Sequence, residues 1–352
     1  HYPLGNTLPE TGRALSVAPG FKWLRMGLPF ALDHVNLWLL RDETENDAGR
    51  RVQGWTVIDC GIDTPATRAQ WQTVFVRELE GLPVLRVLVT HMHPDHVGLA
   101  HWLCERWKVP LLMSVSDYCA ARLGSSQSQN GAGGSQAADF FASHGLRDAE
   151  TLRQISARGD YYRHLVPSVP LRFHRLMDGA TLAMGAGSRR CQWQLISGYG
   201  HAPEHIALYS QAHGVLIAGD MVLPRISTNV SVWDSEPEAD ALHLYLTSLD
   251  KYRLLPANTL VLPSHGKPFH GLHTRLDQLH EHHQQRLAEV LQACRTAPQS
   301  AADVLGILFP RALDLHQTSF AMGESIAHLH WLWHAGQIRR SQDGEGIYRF
   351  TA

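Results

Sequence analysis

Thiol chemistry is scarce in this chain. Its five cysteines, Cys60, Cys104, Cys119, Cys191 and Cys294, are odd in number, widely spaced and never arranged as CxxC, which excludes a disulfide framework and a zinc ribbon. Long apolar runs are missing too: no stretch approaches the roughly 18 uninterrupted apolar residues of a membrane span. A soluble protein without a membrane partner is expected. A formal net charge of −2 gives no electrostatic reason to expect nucleic acid or acidic lipid. No basic-then-apolar leader pattern stands near His1, so the cytoplasm is the default expectation. With 352 residues, 44% hydrophobic and 18% charged, the chain is long and apolar enough for one large unit and a smaller one. Histidine, by contrast, is abundant at 23 residues, so no single histidine is informative and only spacing and context can promote one.

The runs His34–Leu40 and Trp55–Cys60 read as strands joined by a polar loop from Arg41 to Arg51, a hairpin that opens the fold. Thr64-Pro65 supplies a cap and first-turn proline for a helix carrying Trp71, Val74, Phe75 and Leu79, and Val84–Val89 returns to strand. Strand, helix, strand alternation implies layered α/β packing. Residues Leu123–Gln136 are small, polar and glycine-rich and read as a mobile loop, opening an insertion of about 114–177 that contains a helix near Asp148–Tyr162. Strands resume at Gln192–Ile196, His205–Tyr209, Gly214–Ala218 and Thr259–Leu262, with a helix over Glu236–Tyr252. The division expected is 1–270 and 271–352. In the second part Leu272, Leu276, Leu279, Leu287, Val290 and Cys294 share a helical face, Ser300 with Asp303 caps a second helix, and Ser319–Ala335 forms a third. A hairpin turning at Asp343-Gly344 completes a winged-helix plan.

The strongest motif is His91-Met92-His93-Pro94-Asp95-His96, directly after the strand Val84–Val89. Two imidazoles two residues apart can face one metal ion while Asp95 and His96 reach a neighbouring position. Three further ligand types stand where apolar strands end: His201 in Gly200-His201-Ala202-Pro203-Glu204-His205, Asp220 in Ala218-Gly219-Asp220, and His265 in Pro263-Ser264-His265-Gly266.

Together these blocks resemble, in kind and order, the metallo-β-lactamase superfamily, over about residues 20–270. The resemblance implies an αββα sandwich with the site at one edge of its sheets. It implies that His91, His93 and His201 hold one ion, that Asp95, His96 and His265 hold a second, and that Asp220 bridges them. Asp59 resembles the acid of the family's LIDTG segment, which fixes a ligand histidine; a plain strand-end turn is the alternative. His205 is read as a packed, hydrogen-bonded histidine beside the ligands. Glu204 and Ala202 depart from the family's common glycine and threonine or serine. Nitrogen and carboxylate ligands without cysteine suit two divalent ions, zinc first, with iron and manganese also compatible. Two such ions, roughly 3.5–4 Å apart in sites of this type, lower the pKa of a bridging water so that hydroxide attacks. Asp95 then orients the hydroxide and passes a proton to the leaving group.

The catalytic part followed by a winged-helix-like segment is most similar to the β-lactamase-like protein 2 and glyoxalase II-like branch. That similarity implies hydrolysis of a small ester, thioester or lactone-like substrate, with ribonuclease action as the rival. Residues Gly271–Ala352 hold seven Arg and no Lys against eight Asp plus Glu, and Ser319–Ala335 has no Lys or Arg. A helix that tracks phosphates normally carries basic residues, so nucleic acid is disfavoured. His328, His330, Trp331 and Trp333 instead suit a domain or homodimer interface. A single-iron, persulfide-dioxygenase-like oxidoreductase would need only the first ion position. An inactive binding scaffold is disfavoured because no ligand is missing. In the insertion, Tyr161, Tyr162, Arg163 and His164, with Arg172, His174 and Arg175, are expected either to form a lid or to decorate the surface.

Overall fold

The computed structural model describes residues 1–45, 48–126 and 133–352. Among the described residues, seven strands form the first sheet in sequence order: β1 Ala14–Ala18, β2 Phe21–Gly27, β3 His34–Glu45, β4 Arg51–Ile58, β5 Val84–Leu88, β6 Leu111–Met113 and β7 Phe173–Arg175. Pairing is antiparallel from β1 to β4 and parallel from β4 to β7. The second sheet runs β12-β11-β10-β9-β8, from Leu260–Pro263 through Val215–Gly219, His205–Ser210 and Cys191–Gly198 to Thr181–Met184. Among the described residues, only its β11–β12 pair is parallel.

Both faces of each sheet are covered, which explains why the inner strands are apolar throughout instead of alternating with polar residues. Along β3, Trp38 and Leu40 point between the sheets, where they join Trp23, Ile58 and Leu88 against Trp193, Ile206, Ile217 and Leu262. Val35, Leu37 and Leu39 of the same strand point the other way, onto helices α1 (Pro65–Arg77) and α3 (Ala100–Trp107), represented by Trp71, Val74 and Leu103. The one-turn α2 (Pro94–Val97) lies between those two in sequence. Thr64 caps α1 by accepting the Thr67 amide, and proline stands in its first turn. On the outer face of the second sheet lie α8 (Ala241–Lys251), α9 (Leu272–Thr296), α10 (Ala301–Leu308) and α11 (Leu315–His334), in one buried cluster with Ala207, Leu216 and Val261. The architecture is a helix–sheet–sheet–helix sandwich, as expected. Ser300 with Asp303 and Asp314 with Gln317 each close a capping box, at the starts of α10 and α11. Hairpin β13 (Arg339–Gln342) and β14 (Tyr348–Thr351) follows α11.

Several expectations need correction. The fold opens two strands before the expected hairpin, with β1 and β2, and Arg41–Glu45 continue β3 in register with β4 instead of looping. The expected mobile loop is mostly helix where it is described. Residues 123–126 end α4 (Val115–Ser126) with Gly124 and Ser125 buried, and residues 135 and 136 begin α5 (Ser135–Ser143). Residues 127–132 of that loop lie outside the described residues. The insertion is also shorter than expected, because β7 belongs to the first sheet. Its helical part comprises α4, α5, α6 (Ala149–Ser156) and α7 (Tyr161–Leu165). Among the described residues no helix is long and apolar enough to cross a membrane.

Candidate metal centre

Five strands β4, β5, β9, β11 and β12 end at one edge of the sandwich, and the residues just beyond their ends are Asp59, His91, His201, Asp220 and His265. The two sheets are tied together there: Ile206 N–H donates to Thr90 O at 2.8 Å, and Asn36 N–H to Ser264 O at 2.6 Å. All seven expected ligands converge in three overlapping sets, namely His91, His93 and His201; His91, His96 and Asp220; and Asp95, His96 and His265.

The ring protons show what the set is built for. His201 Nδ1 lies 2.7 Å from Asn229 O, His265 Nδ1 2.7 Å from His34 O, His96 Nδ1 2.9 Å from Asp59 Oδ2, and His91 Nδ1 3.0 Å from Thr90 Oγ1. With each Nδ1 proton donated to an oxygen, four Nε2 lone pairs face one another and the carboxylates of Asp95 and Asp220. Acceptors so arranged need a cation. Among the described residues, His96 Nε2 and Asp220 Oδ1 are buried without any hydrogen-bond partner. Neighbouring donor atoms stand 3.0 Å (His91–His93), 3.2 Å (His91–His201), 3.3 Å (His201–Asp220), 3.4 Å (His265–Asp220) and 3.5 Å (His96–Asp95 and His265–Asp95) apart. Tetrahedral coordination with bonds of about 2.1 Å has edges of about 3.4 Å, so the residues fit divalent ions.

Electrostatics agree with that fit. Burial and the neighbouring imidazoles hold His91 and His93 well below the usual histidine value, in the neutral form that ligates metals. Burial would lower His96 as well, yet the carboxylates of Asp95, Asp59 and Asp220 outweigh it and carry it up to about 10. Burial opposes ionisation of Asp220, but His265 and His96 hold its carboxyl well below the ordinary range. The site therefore draws positive charge to its His96 side.

Asp59 is buried at φ +61° and accepts the Thr90 amide at 2.8 Å in addition to His96. His205 Nε2 accepts the Asp220 amide at 3.2 Å and does not belong to any of the three ligand sets. Four supporting residues escaped the sequence reading. Buried Asp117 accepts the amides of Met92 (2.7 Å) and Glu204 (2.6 Å), clamping the two histidine loops together despite the departures at Ala202 and Glu204. Burial carries its carboxyl up to about 6 against the pull of those amides. Thr90 links Asp59 to His91. His34 accepts the Gly266 amide at 2.8 Å and holds His265 through its carbonyl. Asn229 does the same for His201 and donates its side chain to Glu324 of α11 at 3.0 Å. None of these had a local sequence signal.

A cleft of about 690 Å³ opens on His93, Asp95, His201, Asp220 and His265. Its walls come from the turn before β3 (Phe30), from α7 (Tyr161) and from α11 (His316, Phe320), and are mainly apolar. The insertion thus faces the centre with one tyrosine and braces it with the next, since Tyr162 Oη donates to Met92 O at 2.6 Å. Arg163, Arg172 and Arg175, expected either in a lid or on the surface, are exposed and do not line this cleft; Arg158 and Arg311 do. His328 and His330 are buried within the chain, His328 beside His283 and His330 against the carbonyl of Ala239.

Comparison with known proteins agrees with this geometry. The family described as the metallo-beta-lactamase superfamily matches residues 33–265, and one described as metallo-beta-lactamase-like, C-terminal domain, matches residues 287–352. This chain belongs to the metallo-β-lactamase superfamily of metal-dependent hydrolases. It is 52% identical to a beta-lactamase domain protein from Burkholderia ambifaria, covering 99% of this chain and 97% of that one with a TM-score of 0.91. A metallo-beta-lactamase family protein from Thermus thermophilus is 28% identical, covering 96% and 99% with a TM-score of 0.75. Among curated relatives, the probable metallo-hydrolase YqjP of Bacillus subtilis is 23% identical over 92% of this chain and 96% of its own length.

Proposed function

We propose that the chain is a two-ion hydrolase of a small ester, thioester or lactone-like substrate. The observation that carries this is the position of Asp220. One carboxylate oxygen lies 3.3 Å from His201 Nε2 and 3.4 Å from His265 Nε2, and the other 3.6 Å from His96 Nε2, so it faces both ligand sets at once. His91, His93 and His201 would hold one ion, and Asp95, His96 and His265 the other. Bound zinc, or iron or manganese, supplies Lewis acidity to the substrate oxygen and to the attacking water.

The chain's own groups do the rest. Asp59 and the carbonyls of Asn229 and His34 fix the ring orientation of His96, His201 and His265, so the Nε2 lone pairs are preorganised. Asp95 lines the cleft beside His96 and His265 and is placed to take a proton from the attacking water and return it to the leaving group. The apolar walls exclude water from the acyl group, which strengthens these electrostatic interactions.

We read residues 1–270 as the catalytic unit and 271–352 as a winged-helix-like unit that builds part of the cleft. Twelve residues of α11 are buried, which supports a packing role for that helix over the groove-reading role a ribonuclease would need. The test loads the protein with zinc, manganese or iron and measures metal per chain. Turnover of thioesters, esters, lactones and a short RNA is then compared with and without EDTA. Two ions per chain and EDTA-sensitive acyl hydrolysis are expected. Faster cleavage of RNA than of any acyl substrate, or a single iron with oxygen consumption, would overturn the reading.

A further inference from the structure

The cleft has a chemistry of its own beyond the metal ligands. Phe30 stacks on His316 with ring centroids 4.9 Å apart and planes 12° from parallel, and His316 meets Phe320 at 4.8 Å. Tyr161 joins them through its hydroxyl, 3.5 Å from His316 Nδ1. Leu28, Leu165, Ile226 and Leu315 extend the same apolar lining. A volume of about 690 Å³ falls inside the roughly 300–1,000 Å³ of small-ligand sites.

Two guanidinium groups interrupt this surface. Arg158 lies over the Tyr161 ring, 4.1 Å from its centroid, and Arg311 donates to the neutral Gln317 Oε1 at 2.7 Å. Among the described residues neither forms an ion pair with a carboxylate, although surface arginines elsewhere in the chain, such as Arg68, Arg253 and Arg349, do. Asp314, the acid of the lining nearest Arg311 in sequence, is committed to the α11 capping box, where it accepts the Gln317 amide. The two arginines come from segments about 150 residues apart in sequence, yet they line one cleft. Planar donors of this kind bind carboxylate and phosphate oxygens, often bidentately.

We propose that the substrate is an amphiphilic acyl ester or thioester whose apolar body packs on Phe30, His316 and Phe320. A second, anionic group, a carboxylate or phosphate, is held by Arg158 and Arg311. This rests on the ester and thioester reading above and adds the specificity determinants to it. Helices α7 and α11, with the turns that precede them and carry Arg158 and Arg311, then select the substrate, while the sheet edge performs the chemistry.

The test measures binding separately from turnover. Zinc-loaded protein is titrated calorimetrically with non-hydrolysable thioether analogues of one acyl chain, ending in a neutral amide, a carboxylate or a phosphate. Wild type is expected to bind one of the anionic analogues at least about tenfold more tightly than the neutral one. Arg158→Gln and Arg311→Gln should each remove much of that preference, with unfolding midpoints unchanged. Equal binding of all three analogues would overturn the proposal. So would an anion preference untouched by both substitutions, which would place the anion on the metal centre instead. The cleavable thioesters are assayed in parallel. Preference for the anionic analogue with no hydrolysis of any thioester would sink the hydrolase reading and leave the anion site standing, so the two failures are distinguishable.

Discussion

Replacing Asp59 by Asn tests whether the ligand geometry is held from behind. Asparagine has nearly the same shape and tolerates the left-handed φ of +61° that this position requires, so the backbone is retained. In the native site one carboxylate oxygen accepts the Thr90 amide at 2.8 Å, and the other faces both Thr90 Oγ1 and His96 Nδ1 at 2.9 Å. An amide supplies only one acceptor. If its oxygen stays with the Thr90 amide, its NH2 faces His96 Nδ1 and the ring must move its proton to Nε2. That is the atom aimed at Asp95 and Asp220, so the lone pair needed for an ion is lost. Loss of such an orienting partner costs about 10–100-fold in metal affinity, or about 1.4–2.7 kcal/mol. Competitive titration of zinc against a chelator, at both sites, should show the weakening on the Asp95, His96 and His265 side. The His91, His93 and His201 set should change less than about threefold, since Thr90 still serves His91. Thermal unfolding of the ion-free variant separates this from a folding defect. Wild-type affinity at both sites in Asp59→Asn would refute the argument.

Glu324 gives a pH signature. Burial raises its carboxyl from the ordinary 4.5 to about 7, against the hydrogen bond from Asn229. The folded chain therefore holds this proton more tightly than the unfolded one, and the associated stability is present in acid and lost as pH rises from about 4.5 through about 7. Glu324→Gln should be more stable than wild type at pH 8, by on the order of 1–3 kcal/mol, and should lose that advantage below pH 4.5. Parallel curves of unfolding midpoint against pH would contradict this. Gly219 has φ +55°, and a Cβ there would lie 2.0 Å from His205 Nε2, whereas one at Gly214, φ +63°, would meet nothing within 4 Å among the described residues. Gly219→Ala should cost more than about 3 kcal/mol and reduce bound metal by displacing Asp220, while Gly214→Ala should cost about 1 kcal/mol of backbone strain. Equal urea midpoints for the two variants would count against the steric argument.

The sequence alone determined the layered α/β class and where the candidate ligand residues lie, because apolar strands stop where the chain leaves the core and these polar residues follow them. It also set the start of α10 through Ser300 and Asp303 and the buried face of α9, since these signals are local and periodic. Tertiary structure decided what holds the ligands in place. Asp117, His34 and Asn229 are ordinary residue types whose partners lie 25, 232 and 28 residues away at Met92, Gly266 and His201, so no window along the chain joins them. Packing also reversed the reading of residues 123–126. Gly124 and Ser125 look like loop composition, yet a Cβ at Gly124 would lie 2.7 Å from the Tyr162 ring, so there the smallness serves close approach and not mobility. The cleft is tertiary for the same reason. Arg158 and Arg311 have no signal in sequence and line one cleft only because the chain around α11 packs back over the edge of the sandwich where the histidines gather.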